Sequence, residues 1–324
     1  QQAAEQNPKC YQCFYNQGVL HERGRKHQKA ANAYKKALAI HPTHLQSVVN
    51  LSNLYLRLNK PSEAYRVVSF AVRTAPRDLG LRNQLVKVLL ASRRVKQAVE
   101  QAKGILLVDE RNVPAMISLG QAYHAWGKHE LAERILLKAK EIDETSAEIQ
   151  NRLGFVYLSM DNASLAIAAF KKALELDDAL PEAHNNLGVL YSKAHDYTSA
   201  TEHFRKAIAL SPNFYEAYLN LGNALRGDKH FDQAEDAYRK AKELQLDEKA
   251  ATFNLGLLYL DDEVPGYEKS ERLQNAVKQL EEFEKKGGKH PKLADYLKEA
   301  RKKHERAVKA ELRRRWHDPI PAVG

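Results

Sequence analysis

The sequence has little cysteine and no long hydrophobic run. Two cysteines in 324 residues cannot supply a disulfide-built scaffold, which needs several bridges in a short chain. No segment approaches the roughly 18 consecutive apolar residues of a membrane-spanning helix, so none is expected in these residues. Charged residues make up 28% and aromatic residues 8% of the chain, and the mean hydropathy of −0.58 is low for folding around one large core.

The sequence also lacks the short motifs that carry most enzyme chemistry. It contains no phosphate-binding glycine loop, no nucleophile elbow and no H-E-x-x-H metal motif. Acidic pairs such as Asp177-Asp178 and Glu281-Glu282 fall at predicted helix ends or on exposed faces, where solvation explains them better than acid–base chemistry. We therefore predict no catalytic residue, no metal site and no cofactor.

One short motif with known chemistry is present, the C-x-x-C formed by Cys10 and Cys13. The favoured interpretation is two small residues in the first turn of the first helix. A local disulfide, which an exported protein would form, is one alternative. A redox pair, or half of a metal site completed by His21 or His27, is the other.

The net charge of +10 is concentrated near the C-terminus. Between Lys285 and Arg315 the sequence has 13 basic and 4 acidic residues, which leaves 38 basic and 37 acidic residues for the rest. A solvated helix with cations near its C-terminal end accounts for this segment, because cations there complement the helix dipole. It could also steer an anionic surface toward the protein.

Self-similarity is the dominant feature of the sequence. The triplet Asn-Leu-Gly ends at Gly188, Gly222 and Gly256, a spacing of 34 residues. Stepping back by 34 gives small or apolar residues at every position down to Gly18. The position twelve residues after each of these is alanine in seven successive repeats: Ala30, Ala64, Ala98, Ala132, Ala166, Ala200 and Ala234.

The apolar positions within each repeat recur at intervals of three and four, which is typical of helices. Two antiparallel helices per repeat, with small residues where their backbones approach closely, account for this pattern. The sequence in this respect resembles the tetratricopeptide repeat, a 34-residue helical hairpin that buries its apolar face only against neighbouring copies.

The resemblance implies an all-α fold, a right-handed α-solenoid of such hairpins with a C-terminal capping helix. Residues 11–285 would form eight repeats, of which seven are gapless over 11–248 and the last has an insertion at 261–268. The third repeat departs most, with Val86 at the glycine position. We expect a loose N-terminal segment at 1–10, a basic capping helix at 286–316 and a disordered tail at 317–324.

The resemblance also implies that the first helix of each repeat lines a concave wall. The position two residues before the glycine is asparagine in five of eight repeats, although asparagine is a poor residue for a helix interior. An amide both donates and accepts hydrogen bonds, so a ladder of amides could pair with the backbone of an extended peptide. Such a ladder resembles the peptide-binding superhelix of O-linked sugar transferases. The predicted peptide-binding residues are Asn50, Asn53, Arg57, Asn185, Asn186, Asn220, Asn223, Arg226 and Asn254.

The alternative explanation is that Asn-Leu-Gly is ordinary consensus for this repeat and serves solvation. If a peptide binds, the group formed by Asn186, Asn220, Asn223 and Asn254 is favoured, because repeats three to five have fewer amides. The lysine–asparagine pair that chaperone-binding members use to hold a free C-terminus occurs in no repeat.

The predicted function is a non-catalytic scaffold that holds a protein partner, through an extended segment in its groove, and takes no small-molecule substrate. The unbroken array, the insertion and the lysine-rich closing helix resemble bacterial envelope proteins, including outer-membrane lipoproteins of gliding-motility or pilus assembly. This resemblance implies a periplasmic or outer-membrane-associated location, with the cytoplasm as the alternative.

Two further functions stay open from the sequence. One is a membrane-surface or nucleic-acid binder that acts through the basic C-terminal helix. The other is the substrate-recruiting part of a larger enzyme. The sequence does not determine the oligomeric state.

Overall fold

The computed structural model describes residues 9–244 and 249–317, with side chains up to residue 314. Within these residues the protein is all-α, with 17 helices packed as consecutive pairs, as an α-solenoid of helical hairpins requires. The helices form two compact bodies, the N-terminal body at residues 1–176 and the C-terminal body at 177–324. The predicted loose segment at 1–10 and tail at 317–324 lie almost entirely outside the described residues.

The N-terminal body contains five helix pairs, one for each of the first five repeats. Odd-numbered helices are the first helices of their repeats, and even-numbered helices are the second. Their bounds are α1 Tyr11–Arg23, α2 His27–Ile40, α3 Leu45–Arg57, α4 Pro61–Thr74, α5 Leu79–Ala91, α6 Val95–Leu106, α7 Val113–Ala125, α8 His129–Ile142, α9 Ala147–Ser159 and α10 Ala163–Leu176.

The C-terminal body contains three pairs and a last, longer helix. No helix occupies residues 262–268, which connect α15 to α16. The bounds are α11 Pro181–Lys193, α12 Tyr197–Leu210, α13 Tyr215–Gly227, α14 Phe231–Leu244, α15 Ala250–Asp261, α16 Lys269–Lys285 and α17 Leu293–His317.

Local side-chain bonds explain where several helices begin. The side chains of Asp78, Asn112, Ser146 and Asp196 each accept a hydrogen bond from the amide three residues ahead. These bonds satisfy backbone donors that lack a partner in the first turn of a helix. The starts of these four helices are therefore set by residues next to them in sequence.

The turn within each of the first seven repeats has one residue in the left-handed backbone region. These residues recur every 34 positions with φ between 54° and 74°, and only one of them is a glycine. A side chain is strained there because its Cβ crowds the backbone. The seven residues are Arg25, Asn59, Arg93, Gly127, Asp161, His195 and Lys229.

Replacing one strained residue by glycine should stabilise the protein. We expect Arg93→Gly, at φ 57°, to raise the free energy of unfolding by up to about 1 kcal/mol, because glycine adopts this backbone without a Cβ penalty. Ala91→Gly is the matched control, since Ala91 is exposed at the end of α5 and should lose about 0.5–1 kcal/mol. Urea unfolding of both variants measures the two changes, and a loss of stability in Arg93→Gly would contradict the argument.

The periodic alanines form the contact between the two helices of each repeat. All seven, from Ala30 to Ala234, have no exposed surface. The residues seven positions further on, from Ala37 to Ala241, are equally buried, including Ile105 in the third repeat. Small side chains here let the paired backbones approach closely, as their periodicity predicts.

In six of the eight repeats the glycine position holds a glycine, and a large side chain from the second helix of the same repeat packs directly against it. A Cβ added to Gly188 would lie 2.6 Å from the Phe204 ring, and one added to Gly154 would lie 2.6 Å from Phe170. Gly18, Gly222, Gly120 and Gly256 meet Tyr34, Tyr238, Leu136 and Leu280 in the same way. In the five gapless repeats among these six, the partner comes 16 residues later.

The third repeat departs from this rule with a compensating change. Val86 occupies the glycine position, and the residue 16 positions later is Ala102 rather than an aromatic or leucine. Both side chains are fully buried. In the second repeat Ser52 is combined with Val68, which is intermediate in size. The summed volume at this contact is thus roughly conserved, which is what a close-packed core requires.

The helix α17 contributes its apolar face to the core of the C-terminal body. Leu293, Leu297, Ala300 and Ala307 are buried in the cluster that also contains Leu280. Leu312, which continues the same stripe in the sequence, is 51% exposed. Glu311 accepts hydrogen bonds from the backbone N–H and hydroxyl of Ser270, so its carboxylate lies at the N-terminus of α16, where the helix dipole favours negative charge.

Candidate peptide-binding face

The first helices of neighbouring repeats lie against each other within both bodies. This holds for α3, α5, α7 and α9 in the N-terminal body and for α11, α13 and α15 in the C-terminal body. The second helices of neighbouring repeats touch far less. A layer whose helices crowd on one side and separate on the other is curved, so the first helices line the inner face of each body.

The predicted amides of the C-terminal body bond to one another between repeats. Asn220 donates from Nδ2 to Asn185 Oδ1 at 3.0 Å. Asn254 donates from Nδ2 to Asn223 Oδ1 at 2.9 Å, and the Tyr238 hydroxyl donates to the same oxygen at 2.8 Å. The structure therefore brings four of the predicted residues together as two hydrogen-bonded pairs.

These bonds orient the amides and leave part of their hydrogen-bonding capacity unused. The Asn223 oxygen accepts two bonds, so its remaining groups are two N–H donors. Asn220 and Asn254 each retain an oxygen and one N–H. Burial raises the pKa of Tyr238, with Arg226 opposing that shift and Asp262 adding to it, so its hydroxyl stays a donor at neutral pH.

Asn185 and Asn186 have different environments although they are adjacent. Asn185 is 8% exposed, so its amide faces into the protein. Asn186 is half-buried, and within the described residues its side chain has no hydrogen-bond partner. The Asn186 amide is thus the member of the C-terminal set whose full bonding capacity is unused.

Arg226 is held by the start of the insertion. Its Nε donates to Asp262 Oδ2 at 2.5 Å, and its Nη2 lies 3.3 Å from Asp261 Oδ2 and 3.5 Å from the Leu257 carbonyl oxygen. The sequence analysis placed Arg226 with the amides as a further candidate on the inner face of a first helix. The structure shows that this guanidinium fixes the end of α15 against α13.

The predicted residues of the N-terminal body also have partners within the protein. Asn50 donates to the Tyr34 hydroxyl at 3.3 Å, and that hydroxyl donates to Glu22 at 2.7 Å. Arg57 forms an ion pair with the same Glu22 carboxylate. Burial, and secondly the bond to Glu22, raises the pKa of Tyr34. Asn53 accepts a hydrogen bond from Gln84 at 2.9 Å.

One bonding register recurs along the inner faces. The residue after the glycine position accepts from a residue 31 positions later, on the first helix of the next repeat. Asn53 with Gln84 and Asn223 with Asn254 follow this rule. Gln121 with Arg152 follows it in the amide orientation that satisfies both groups, with oxygen to Nη2 and Nε distances of 3.0 and 2.6 Å.

The insertion is anchored by a buried carboxylate that sequence reasoning missed. Glu235 on α14 is 7% exposed, and its Oε1 accepts from the hydroxyls of Tyr259 and Tyr267, each at 2.7 Å. Arg239 lies 2.6 Å from the same oxygen. Burial, followed by the bond to Glu235, raises the pKa of Tyr259. Tyr267 belongs to the insertion, so this network ties residues 262–268 to the preceding repeat.

Cys10 and Cys13 are joined by a disulfide in this structure, with their Cα atoms 5.3 Å apart. The favoured interpretation of two unlinked small residues is therefore wrong, and the local disulfide is the form observed. Cys10 is the N-cap of α1, and its sulfur also accepts from the Cys13 amide at 3.1 Å. A helical first turn brings positions three apart together, which allows this short bridge.

Neither a metal site nor a membrane span is found in the part of the chain that the structure describes. Its histidine, cysteine and carboxylate side chains nowhere gather in threes with a geometry that could hold a metal ion. No described helix combines the length and the apolar character needed to cross a bilayer.

Comparison with known families agrees with the repeat analysis. Four models of the tetratricopeptide repeat match the sequence, over residues 1–44, 113–146, 145–213 and 191–253. The chain is a tetratricopeptide repeat protein. Such proteins generally act as protein–protein interaction scaffolds and are usually non-catalytic. No curated protein sequence matches this tetratricopeptide repeat protein.

Several solved structures share the fold. The Cut9–Hcn1 hetero-tetramer of APC/C matches with a TM-score of 0.66 at 21% identity, covering 85% of this chain and 52% of that chain. PilF of Pseudomonas aeruginosa matches with a TM-score of 0.53 at 20% identity, covering 64% and 94%. A thermophilic repeat protein of Thermus thermophilus gives 0.51 and 23%, covering 56% and 99%. The chain thus spans about half the length of its Cut9–Hcn1 match, and these identities show the fold alone.

Proposed function

We propose that this protein holds an extended segment of a partner protein along the inner face of its C-terminal body. The observation that carries the proposal is the fixed orientation of Asn220, Asn223 and Asn254 by bonds to Asn185, to each other and to Tyr238. Each of these amides keeps donors or acceptors beyond the bonds that orient it. Asn186 adds an amide on the same face whose bonding capacity is unused.

This arrangement suits a peptide backbone. An extended segment presents its N–H and C=O groups alternately. An amide side chain can form hydrogen bonds with both kinds of group, whatever the partner's own side chains are. Because the amides are already oriented, binding would order few of the protein's side chains, which lowers the entropic penalty of association. The proposal thus predicts recognition of backbone conformation more than of sequence.

The test begins by selecting peptides from a random display library on the immobilised chain and measuring their affinity by calorimetry. We expect Asn186→Ala to raise the Kd of a selected peptide about five- to ten-fold, the equivalent of one lost hydrogen bond of about 1 kcal/mol. Stability should change little, because Asn186 has no side-chain bond within the described protein.

Asn213→Ala is the matched control, because Asn213 is exposed in the turn before α13 rather than on a first helix. Its Kd should equal that of the unaltered chain. Asn220→Ala should weaken binding as well, although it also removes the bond to Asn185. Peptides whose affinity survives both Asn186→Ala and Asn220→Ala would show that the partner binds elsewhere.

A role in a bacterial envelope assembly is a second candidate, favoured by the disulfide of Cys10 and Cys13. Disulfides persist in oxidising compartments such as the periplasm and are rare in the cytosol. We expect alkylation and mass spectrometry of the protein taken directly from its native cells to find both cysteines unmodified until a reductant is added. Alkylation of both thiols without reduction would count against an oxidising location.

The basic helix α17 has a structural role whatever it binds. Its apolar face is part of the core of the C-terminal body, and Arg301 forms an ion pair with Glu281 on α16 at 2.8 Å. Removing the helix would therefore expose core residues as well as remove charge. Neutralising exposed lysines such as Lys302 and Lys309 is the cleaner test of binding to an anionic surface.

A further inference from the structure

A pocket opens on the inner face of the N-terminal body, between the first helices of the fourth and fifth repeats. Its volume is ≈ 300 Å³, the size that holds a small ligand group. One side is apolar, with Leu90, Leu136 and Phe155. The other side carries Gln121, His124 and Arg152. Sequence reasoning placed fewer binding groups in these repeats because they lack the asparagines.

The apolar side is built by the packing rule of the repeats. Gly120 has no side chain, so Leu136 fills the space next to it. Phe155 packs edge-to-face on the fully buried Phe170, with ring centroids 5.5 Å apart and an interplanar angle of 89°. These contacts hold the apolar wall in place without a ligand.

The polar side places an oriented guanidinium at the edge of that wall. Gln121 accepts hydrogen bonds from Nη2 and Nε of Arg152, which leaves the Nη1 donors outside this pair. Glu148 Oε1 is 3.7 Å from Nη2, beyond hydrogen-bond distance, so it offsets the positive charge only in part. Arg152 stands where five other repeats have asparagine.

His124 is the third polar residue that lines the pocket. Its Nε2 lies 2.7 Å from the Ser159 hydroxyl, and its ring is 5.3 Å from that of His129. Burial, followed by electrostatic repulsion from His129 and Arg152, lowers the pKa of His124. The pocket is thus partly desolvated, and the Arg152 guanidinium is the cation in its lining, while His124 itself stays neutral at pH 7.

We infer that this pocket binds a short segment of a partner protein in which a large apolar side chain is followed by an acidic residue. The apolar side chain would lie against Leu90, Leu136 and Phe155, and its carboxylate neighbour would pair with Arg152. A guanidinium and a carboxylate form two parallel hydrogen bonds, which are stronger and more directional than neutral ones. This pocket belongs to the N-terminal body, whereas the proposed amide groove belongs to the C-terminal body. Each proposal can therefore be tested independently of the other.

The test uses photo-crosslinking, which detects weak binding and reports its location. The first probe is the acetylated peptide amide Gly-Phe-Glu-Gly with a diazirine on the phenylalanine ring, and the second has glutamine in place of glutamate. With the unaltered chain we expect mass spectrometry to find the label in residues 121–125 and 152–156. The glutamate probe should label at least about five-fold more than the glutamine probe, the equivalent of a charge-assisted hydrogen bond of about 1 kcal/mol or more.

Variants then assign the charge preference. Arg152→Gln should make the two probes label equally, whereas Lys87→Gln, an exposed position on the neighbouring first helix α5, should keep the preference. Equal labelling by both probes on the unaltered chain, or label mainly outside the pocket, would overturn the inference. That comparison needs no substitution, so it decides even if Arg152→Gln fails to fold. A preference that survives in folded Arg152→Gln would also overturn it.

Discussion

Gly188→Val should destabilise the C-terminal body by about 3 kcal/mol or more, because there is no room for a side chain at this position. A Cβ at 188 would lie 2.6 Å from Cε1 of Phe204, which is itself 1% exposed and cannot move into solvent without leaving a cavity. The valine also adds two methyl groups beyond that Cβ. Urea unfolding combined with hydrogen exchange of α11 and α12 measures the loss.

A second substitution should rescue the first. Phe204→Ala alone should cost about 3–5 kcal/mol by leaving a cavity. The double variant Gly188→Val/Phe204→Ala copies the Val86 and Ala102 combination of the third repeat and should be more stable than either single variant. Ala209→Val, at an exposed site of α12, should lose less than about 1 kcal/mol and serves as the control. If the losses of stability in the two single variants simply add in the double variant, the argument that the summed side-chain volume is conserved at this contact is wrong.

Glu235→Leu should cost about 1–3 kcal/mol, because it removes the buried acceptor of two tyrosine hydroxyls. The carboxylate accepts from Tyr259, whose side chain is 2% exposed, and from Tyr267 in the insertion. Leucine leaves the Tyr259 hydroxyl buried without this acceptor. The amides of residues 262–268 should then exchange faster with solvent, because the insertion loses its attachment to α14.

The conservative change separates hydrogen bonding from charge in this network. Glu235→Gln keeps an acceptor for the tyrosine hydroxyls but loses the ion pair with Arg239, which is exposed, so its cost should be smaller. Glu243→Leu is the matched control on the same helix, since Glu243 is exposed and its ion pair with Lys240 lies on the surface. If Glu235→Leu were no more harmful than Glu243→Leu, the anchoring role of this carboxylate would be wrong.

Much of the fold follows from short-range patterns in the sequence. The 34-residue period, the buried alanines such as Ala166 and the glycine at 188 each report a contact within one hairpin. Such contacts join residues about 16 positions apart, and the same local geometry recurs in each repeat. The volume compensation of Val86 by Ala102 is also visible in the sequence, but only once the structure has shown which positions face each other.

The candidate site was less accessible to this reasoning. The sequence predicted that the amides lie on first helices, where the structure has them, but it did not predict their hydrogen-bond partners or the contact of Arg226 with the insertion. No repeating sequence pattern marks the pocket beside Arg152, because it combines Leu136 from a second helix with residues of three first helices. Glu235 looks like any other surface carboxylate until Tyr259 and Tyr267 are placed beside it.

By itself the sequence determined that this protein is a row of helical pairs and which side chains face inward within each pair. Those features depend on contacts inside one repeat, which a 34-residue pattern displays directly. Only the tertiary structure decided which groups meet across neighbouring repeats, such as Asn223 with Asn254 and Gln121 with Arg152. These contacts depend on the rotation of one hairpin against the next, and that rotation is set by the packing of many side chains at once.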